Sequence, residues 1–306
     1  MHTPPAALTE DLVAVAQRIR RRVFEHVMRS GGGYLSQACS SAEIFAALYG
    51  RILRLGPSQA PLVPAPFAGV PGTPNASPSG GAYNGPHAPE FDRFVFSPAH
   101  YALVLYTALI EFGRLAPEAL EAFNRDGSTV EMIGAEHSPG VETTTGSLAQ
   151  AISQAGGIAL GRRLKGEPGR VWVLMSDGEF QEGQVWEAVQ ALVHHRLGRV
   201  GVIADVNGQQ CDGAMDDVMS VGSLHAKLHA FGARVFEVDG HDIDALSAPA
   251  ALEPDGRPLF VLARTDPARG VPLMRERAPN LHYLRFASDE ERARYQAAFD
   301  AFDEEA

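Results

Sequence analysis

Between Val171 and Gly213 the apolar positions change period twice. Val171 to Met175 is a continuous apolar run carrying β-branched residues, and it stops at Ser176-Asp177-Gly178. From Gly183 to Leu197 the apolar residues Val185, Val189, Leu192 and Val193 recur at helical spacing. Val200 to Val206 is a second apolar run, ended by Asn207-Gly208. Two buried strands joined by a helix make a βαβ unit, which requires parallel pairing in the sheet. Val235–Val238 and Leu259–Ala263 read as two further strands, with a helix between them after Asp239-Gly240-His241-Asp242. His241 is expected to cap that helix rather than to take part in chemistry. These periods put the chain in the α/β class.

The flanking segments carry helix signals. Thr9 is placed to cap a first helix reaching about Met28, with Leu12, Val15, Ile19 and Val23 inward and Gly31-Gly32-Gly33 at its end. Arg18, Arg20, Arg21 and Arg22 fall on more than one face and are expected at a solvated or salt-bridged surface. Ser40-x-x-Glu43 has the form of a capping box for a second helix, Ala42 to Leu53. Ser97-Pro98 opens another helix, with proline at the favoured first position. A small-residue helix follows Gly146-Ser147-Leu148, and its Gly156, Gly157 and Gly161 are expected to permit close helix packing. Ser288-x-x-Glu291 caps a final helix over about 288–304, whose Tyr295, Phe299 and Phe302 form a packing stripe.

Gly56 to Pro89 departs from this pattern. It is rich in Pro, Gly, Ala and Ser and almost uncharged, so it cannot bury a core of its own. It reads as a long inserted loop at about 56–90, with a lid or partner contact as the functional alternative. The expectation is one domain over 1–306, with this loop inserted in it.

Composition narrows the partners. A chain of 306 residues with 45% hydrophobic and 21% charged residues is ordinary for a globular protein with a substantial core. The formal charge of −11 argues against nucleic acid or an anionic membrane as the main partner. The longest apolar segment, Tyr101 to Ile110, is far too short to span a bilayer. The N-terminus lacks a basic region followed by an apolar one. Cys39 and Cys211 make no disulfide framework and fit a reducing compartment, so the expected location is cytoplasmic.

The candidate chemistry sits at the two strand ends. Asp177 and Asn207 each follow a strand, on the edge where open α/β sheets hold ligands. A carboxylate, an amide oxygen and a main-chain carbonyl just after Asn207 are hard oxygen donors of the kind Mg²⁺ takes, with water or substrate phosphate completing its shell. Gly178 leaves room for close approach of a phosphate. Asp-Gly and Asn-Gly are also common turn dipeptides. On these alone, an ordinary strand pair ending in turns stays open.

The longer pattern is more specific. Asp177-Gly178, then Glu182-Gly183, a helix, a strand ending at Asn207 and finally Asp212-Gly213 closely resembles the thiamine-diphosphate motif of the transketolase family. The resemblance continues through GVETTTGSLAQA (Gly140 to Ala151), DRFVFSPAH (Asp92 to His100) and AFGARVFEVDGHD (Ala230 to Asp242). It spans about Leu12 to His282 and implies a doubly wound, mainly parallel sheet flanked by helices, the fold that binds thiamine diphosphate. It further implies that Asp177, Asn207 and the Gln209 carbonyl hold Mg²⁺, or Ca²⁺ or Mn²⁺ in its place. His100, Gly146, Leu148, Gly178, Glu179 and Asn207 would line the cofactor. Glu182 would stand at the interface, linked to the partner's catalytic glutamate. His100, His137, His282 and Tyr34 are the candidates on the substrate side.

Departures from the family accompany the match. Tyr34 stands where the family has a substrate-facing histidine, and Ala135 where it has a second, unless His137 takes that role. Ala99 and Ser176 each replace a family glycine. The resemblance reaches only the family's first domain. It therefore implies a separate C-terminal, pyrimidine-binding partner subunit, small sugar or sugar-phosphate substrates, and a heterotetramer of two such halves and two partners. The implied reaction is two-carbon ketol transfer from a ketose to an aldose. Two alternatives remain: another thiamine-diphosphate carboligase or 2-oxo-acid enzyme subunit, and a non-catalytic paralogue.

Overall fold

Five apolar stretches form one sheet. The protein is described by a computed structural model covering residues 11–69 and 79–304. The strands are β1 (Arg93–Phe96), β2 (Val171–Ser176), β3 (Val200–Val206), β4 (Arg234–Asp239) and β5 (Leu259–Arg264). They lie in the order β1-β2-β3-β5-β4, and every neighbouring pair is parallel. The three central strands are buried almost throughout, as continuous apolar runs must be when both faces are covered.

Alternate residues feed two cores. Trp172, Leu174, Ile203 and Val261 pack with α1 (Leu12–Ser30), α2 (Leu35–Ala47) and α3 (Ala102–Glu111). Val171, Val173, Met175, Val202 and Phe260 pack with α4 (Gln150–Lys165), α5 (Gly183–His194) and α6 (Leu224–Phe231). Helices α7 (Ile243–Ala250) and α8 (Asp289–Glu304) join the first core through Ile243, Leu246 and Tyr295. The sheet is doubly wound. Gly201 is required within β3: a Cβ there would run into the ring of its register neighbour Trp172.

Several helix boundaries differ from the sequence reading. Thr9 lies outside the described residues, and the cap of α1 is Asp11, whose side chain accepts from the Val13 amide at 2.9 Å. Gly31, in the left-handed conformation, ends α1 as expected. Ser40 and Glu43 are not a capping box. Helix α2 begins at Leu35 and carries both in its interior, because each has a distant partner. Glu43 pairs with Arg20 at 2.7 Å and with His241 at 3.1 Å. Arg20 is therefore buried rather than solvated, while Arg18 and Arg22 share Glu111. Asp242, not His241, caps α7. The His241 ring instead bridges Glu43 and the Asp266 amide. Pro98 precedes a 3-10 turn over Ala99–Tyr101, and α3 starts only at Ala102.

Helix packing explains one glycine of three in α4. A Cβ at Gly156 would press to 3.0 Å on Leu192, whereas Gly157 and Gly161 face nothing within 4 Å. At the chain end, Ser288 Oγ accepts from the Glu291 amide, and Tyr295, Phe299 and Phe302 surround Phe24 edge-on as expected. The described part of the inserted loop lies on the segment 116–141. Main-chain bonds join Ala116 to Leu62 and Phe67 to Gly127, and the Phe67 ring rests on His137. A 3-10 turn, Gly80–Asn84, then buries Tyr83 and Asn84.

Candidate functional site

The site forms where β2 and β3 end. Their register pairs Ser176 with Asp205, so Asp177 and Asn207 leave neighbouring strands on one edge. The two turns are tied directly. The Gly208 amide donates to Asp177 Oδ2 at 2.7 Å, and the Gly178 amide to Oδ1 at 2.9 Å. A φ of +71° at Gly208 makes this turn possible. Asn207 Oδ1 accepts from the Gln209 amide at 2.9 Å. Residues 209–210 then pair antiparallel with 213–214. Asp177 is buried, and its carboxyl is pushed up to about 7, chiefly by burial and then by Asp205.

Asp205 lies beneath this edge, fully buried. It accepts from Ser40 Oγ at 2.6 Å, the Tyr101 hydroxyl at 2.9 Å, Asn207 Nδ2 at 3.3 Å and the Thr265 hydroxyl. Burial raises its pKa, and these four donors oppose the rise. Asp205 thus holds the Asn207 amide by its nitrogen, while the amide oxygen accepts from the Gln209 N–H and keeps a second lone pair.

Glu179 is a third buried carboxylate. It accepts from the Ser176 amide at 2.8 Å, the Ala149 amide at 3.0 Å and the Ser97 hydroxyl. It therefore braces the ends of β1 and β2 against the start of α4. Gly146 is exposed, and a Cβ there would stand 3.4 Å from Ala99. Leu148 is half-buried. At Gly178 a Cβ would meet only Gln210, at 3.5 Å, so the space above the turn is open. Glu182 is exposed at the N-terminus of α5.

Three of the four substrate-side candidates come together. The Tyr34 ring lies 5.6 Å from both His100 and His282, and the two imidazoles are 4.8 Å apart. Burial, then His282, lowers His100 to about 3, and burial lowers His282 as well. Both imidazoles are neutral at neutral pH and can donate from one nitrogen while accepting at the other. Burial, then Tyr283 and Cys211, raises the Tyr34 phenol. Gln37 Nε2 donates to the His282 carbonyl at 3.1 Å, which fixes that segment against α2. His137 has other partners. Its Nε2 is 3.0 Å from Glu131, and its ring packs on Phe67.

The donor set suits a hard cation. Among the described residues no cluster of three or more His, Cys, Asp or Glu side chains could hold a metal. An ion here would depend on one carboxylate with amide and main-chain oxygens, a Mg²⁺-type shell completed by a ligand. The buried Gln209 Oε1 has no hydrogen-bond partner. The residues present fit an Mg²⁺–diphosphate group.

A family model for the transketolase thiamine-diphosphate-binding domain matches residues 81–293. The chain belongs to the transketolase family. It is 33% identical over 279 residues to a transketolase family protein of Sinorhizobium fredii, covering 90% of each chain. It is 30% identical to the 6-deoxy-6-sulfo-D-fructose transketolase subunit of a Clostridium species, covering 85% of this chain and 86% of that one. One of the apulose-4-phosphate transketolase subunits of Actinobacillus succinogenes is 28% identical, over 90% of this chain and 91% of that one. Transketolase from Pichia stipitis shares the fold, with a TM-score of 0.68 at 22% identity over 96% of this chain. This chain spans 44% of the length of that transketolase.

Sequence reasoning passed over Asp205, Tyr101 and Gln37, and read Ser40 only as a helix cap. Asp205 carried a usable signal, an aspartate inside an otherwise apolar strand, since carboxylates are rarely fully buried without partners. The other three carried none, because their partners are remote in the chain.

Proposed function

We propose that the chain is the diphosphate-binding subunit of a two-polypeptide transketolase that moves a two-carbon ketol unit from a ketose to an aldose. The observation that carries this reading is the Gly208 N–H bond to Asp177, which joins the turns after two parallel strands into one oxygen-lined corner. Asp177, Asn207 and the Gln209 carbonyl would hold Mg²⁺, and Gly146, Leu148, Gly178 and Glu179 would line thiamine diphosphate. When bound, that cofactor supplies the nucleophilic carbon and the electron sink for ketose cleavage.

The chain's own groups do the rest. Asp205 orients the Asn207 amide, and Glu179 keeps the strand ends at fixed spacing. His100 and His282, neutral and adjacent, would bind substrate hydroxyls and pass protons to and from them. Tyr34, in place of the family histidine, offers a weakly acidic hydroxyl to the same space. A changed donor or acceptor follows from that exchange.

The partner is a C-terminal, pyrimidine-binding subunit, with a heterotetramer as the assembly. Two relatives matched over most of their length are named as subunits, which supports this. Exposed Glu182 is the residue we assign to meet the partner. The described part of the inserted loop belongs with this single domain. No helix among the described residues is long and apolar enough to cross a membrane, and a cytoplasmic location fits the reading.

Co-expression with the neighbouring gene product, followed by calorimetric titration of thiamine diphosphate with Mg²⁺, tests it. Tight Mg²⁺-dependent binding that Asp177→Ala abolishes is the expected result. No binding by the complex or by this chain would overturn the reading in favour of a non-catalytic paralogue. Decarboxylation of a 2-oxo acid would move it to another thiamine-diphosphate enzyme.

A further inference from the structure

Helix α6 carries two histidines four positions apart, His225 and His229. Leu224 and Leu228 are buried against the second core, which puts the two histidines together on the flank beside them, one half-buried and one exposed. Both ends of this short helix are fixed. Ser223 Oγ accepts from the Ala226 amide at 3.1 Å, and Gly232 closes the C-terminus in the left-handed conformation. The two imidazoles lie nearly parallel, with planes 8° apart and ring centres separated by 6.2 Å. Among the described residues no hydrogen bond or ion pair engages either ring. Lys227 points from the other flank, where its Nζ lies 5.4 Å from the centre of the Trp186 ring, so the charge on this helix is committed away from the pair.

We propose that His225 and His229 form a two-ligand site for a divalent cation of the Zn²⁺ type, which closes one turn of α6. Histidines at i and i+4 on one helix face are how helical zinc sites present imidazole. With Zn–N at about 2.0–2.1 Å, two imidazoles on one ion have ring centres about 5–6 Å apart, so a small side-chain rotation completes the geometry. Water fills the rest of a four-coordinate shell. His229 stands in the last turn, where the helix dipole favours a cation. The site differs in kind from the corner at Asp177 and Asn207: imidazole suits Zn²⁺, whereas carboxylate and carbonyl oxygens suit Mg²⁺. It does not rest on the proposed function.

The test titrates Zn²⁺ by calorimetry into the whole chain, made without a polyhistidine tag and kept in excess Mg²⁺. One Zn²⁺ is expected to bind at the pair. His225→Gln or His229→Gln should each weaken that binding at least about tenfold, since even the loss of a ligand's own supporting partner costs 10–100-fold. The double substitution should remove it. His194→Gln with His195→Gln, the neighbouring exposed pair at the end of α5, should leave it unchanged. His229→Ala with Ala230→His keeps two histidines but turns the second ring about 100° further round the helix, and it should bind no better than His229→Gln. Zn²⁺ should raise the melting temperature of the parent and not that of the double variant, because an ion held only by the folded helix stabilises it. Absence of Zn²⁺ binding, or binding that survives the double substitution or the shifted spacing, overturns the site.

Discussion

Asp205 makes the sharpest prediction about how this site is held together. In Asp205→Ala the carboxylate goes and its four donors stay. Two of them have other acceptors: Ser40 Oγ also reaches the Gln37 carbonyl at 3.2 Å, and Asn207 Nδ2 lies 3.3 Å from the Tyr101 hydroxyl. The Tyr101 and Thr265 hydroxyls lose the acceptor they use. An orphaned buried donor costs about 1–3 kcal/mol; with that full range for buried Tyr101 and the low end for half-buried Thr265, the pair costs about 2–4 kcal/mol. Removing a carboxylate that burial already disfavours returns part of this. The net expectation is a loss of about 2 kcal/mol, read as a lower urea midpoint at unchanged slope. Asp205→Asn keeps the shape and one acceptor, and the hydroxyls can rotate to suit. It should lose less than half as much. Both variants should weaken Mg²⁺–thiamine diphosphate binding, because Asn207 is no longer oriented. A midpoint for Asp205→Ala within about 0.5 kcal/mol of the parent, the range of a neutral surface change, would refute the reasoning.

Glu43→Gln should destabilise by about 3–5 kcal/mol, since it leaves Arg20 charged and buried; in urea unfolding, Arg20→Met combined with Glu43→Leu should recover most of that loss. His26 sets a pH dependence. Burial and Arg29 hold it at about 4 in the folded chain against 6.5 when free. Its contribution is complete above the unfolded value and falls as pH drops through the window between them. The loss amounts to about 2–3 kcal/mol after some screening by solvent. His26→Gln should flatten that part of the stability curve, and an unchanged slope between those pH values would count against it.

Periodicity carried four of the five strands of the sheet, Arg93–Phe96 being the one it did not predict. The runs at Val171, Val200, Val235 and Leu259 are strands at those places; the first, second and fourth are apolar nearly throughout because both their faces are covered, while the Val235 strand is a partly exposed edge. The turns that end them, at Asp177 and Asn207, were legible for the same local reason. What the chain order could not express was the use of side chains by distant partners. Ser40-x-x-Glu43 has the spacing of a cap, yet Ser40 bonds Asp205 across 165 positions and Glu43 bonds His241 across 198. Those pairings have no local trace, and burial makes them outweigh the capping preference. Tyr34, His100 and His282, grouped by the family resemblance, do pack together, whereas His137 is retained by Glu131 and Phe67, a pairing with no trace in that resemblance. Hydrophobic order is written along the chain, residue by residue. Which polar groups meet in the dry interior is decided only when the strands and helices close on one another.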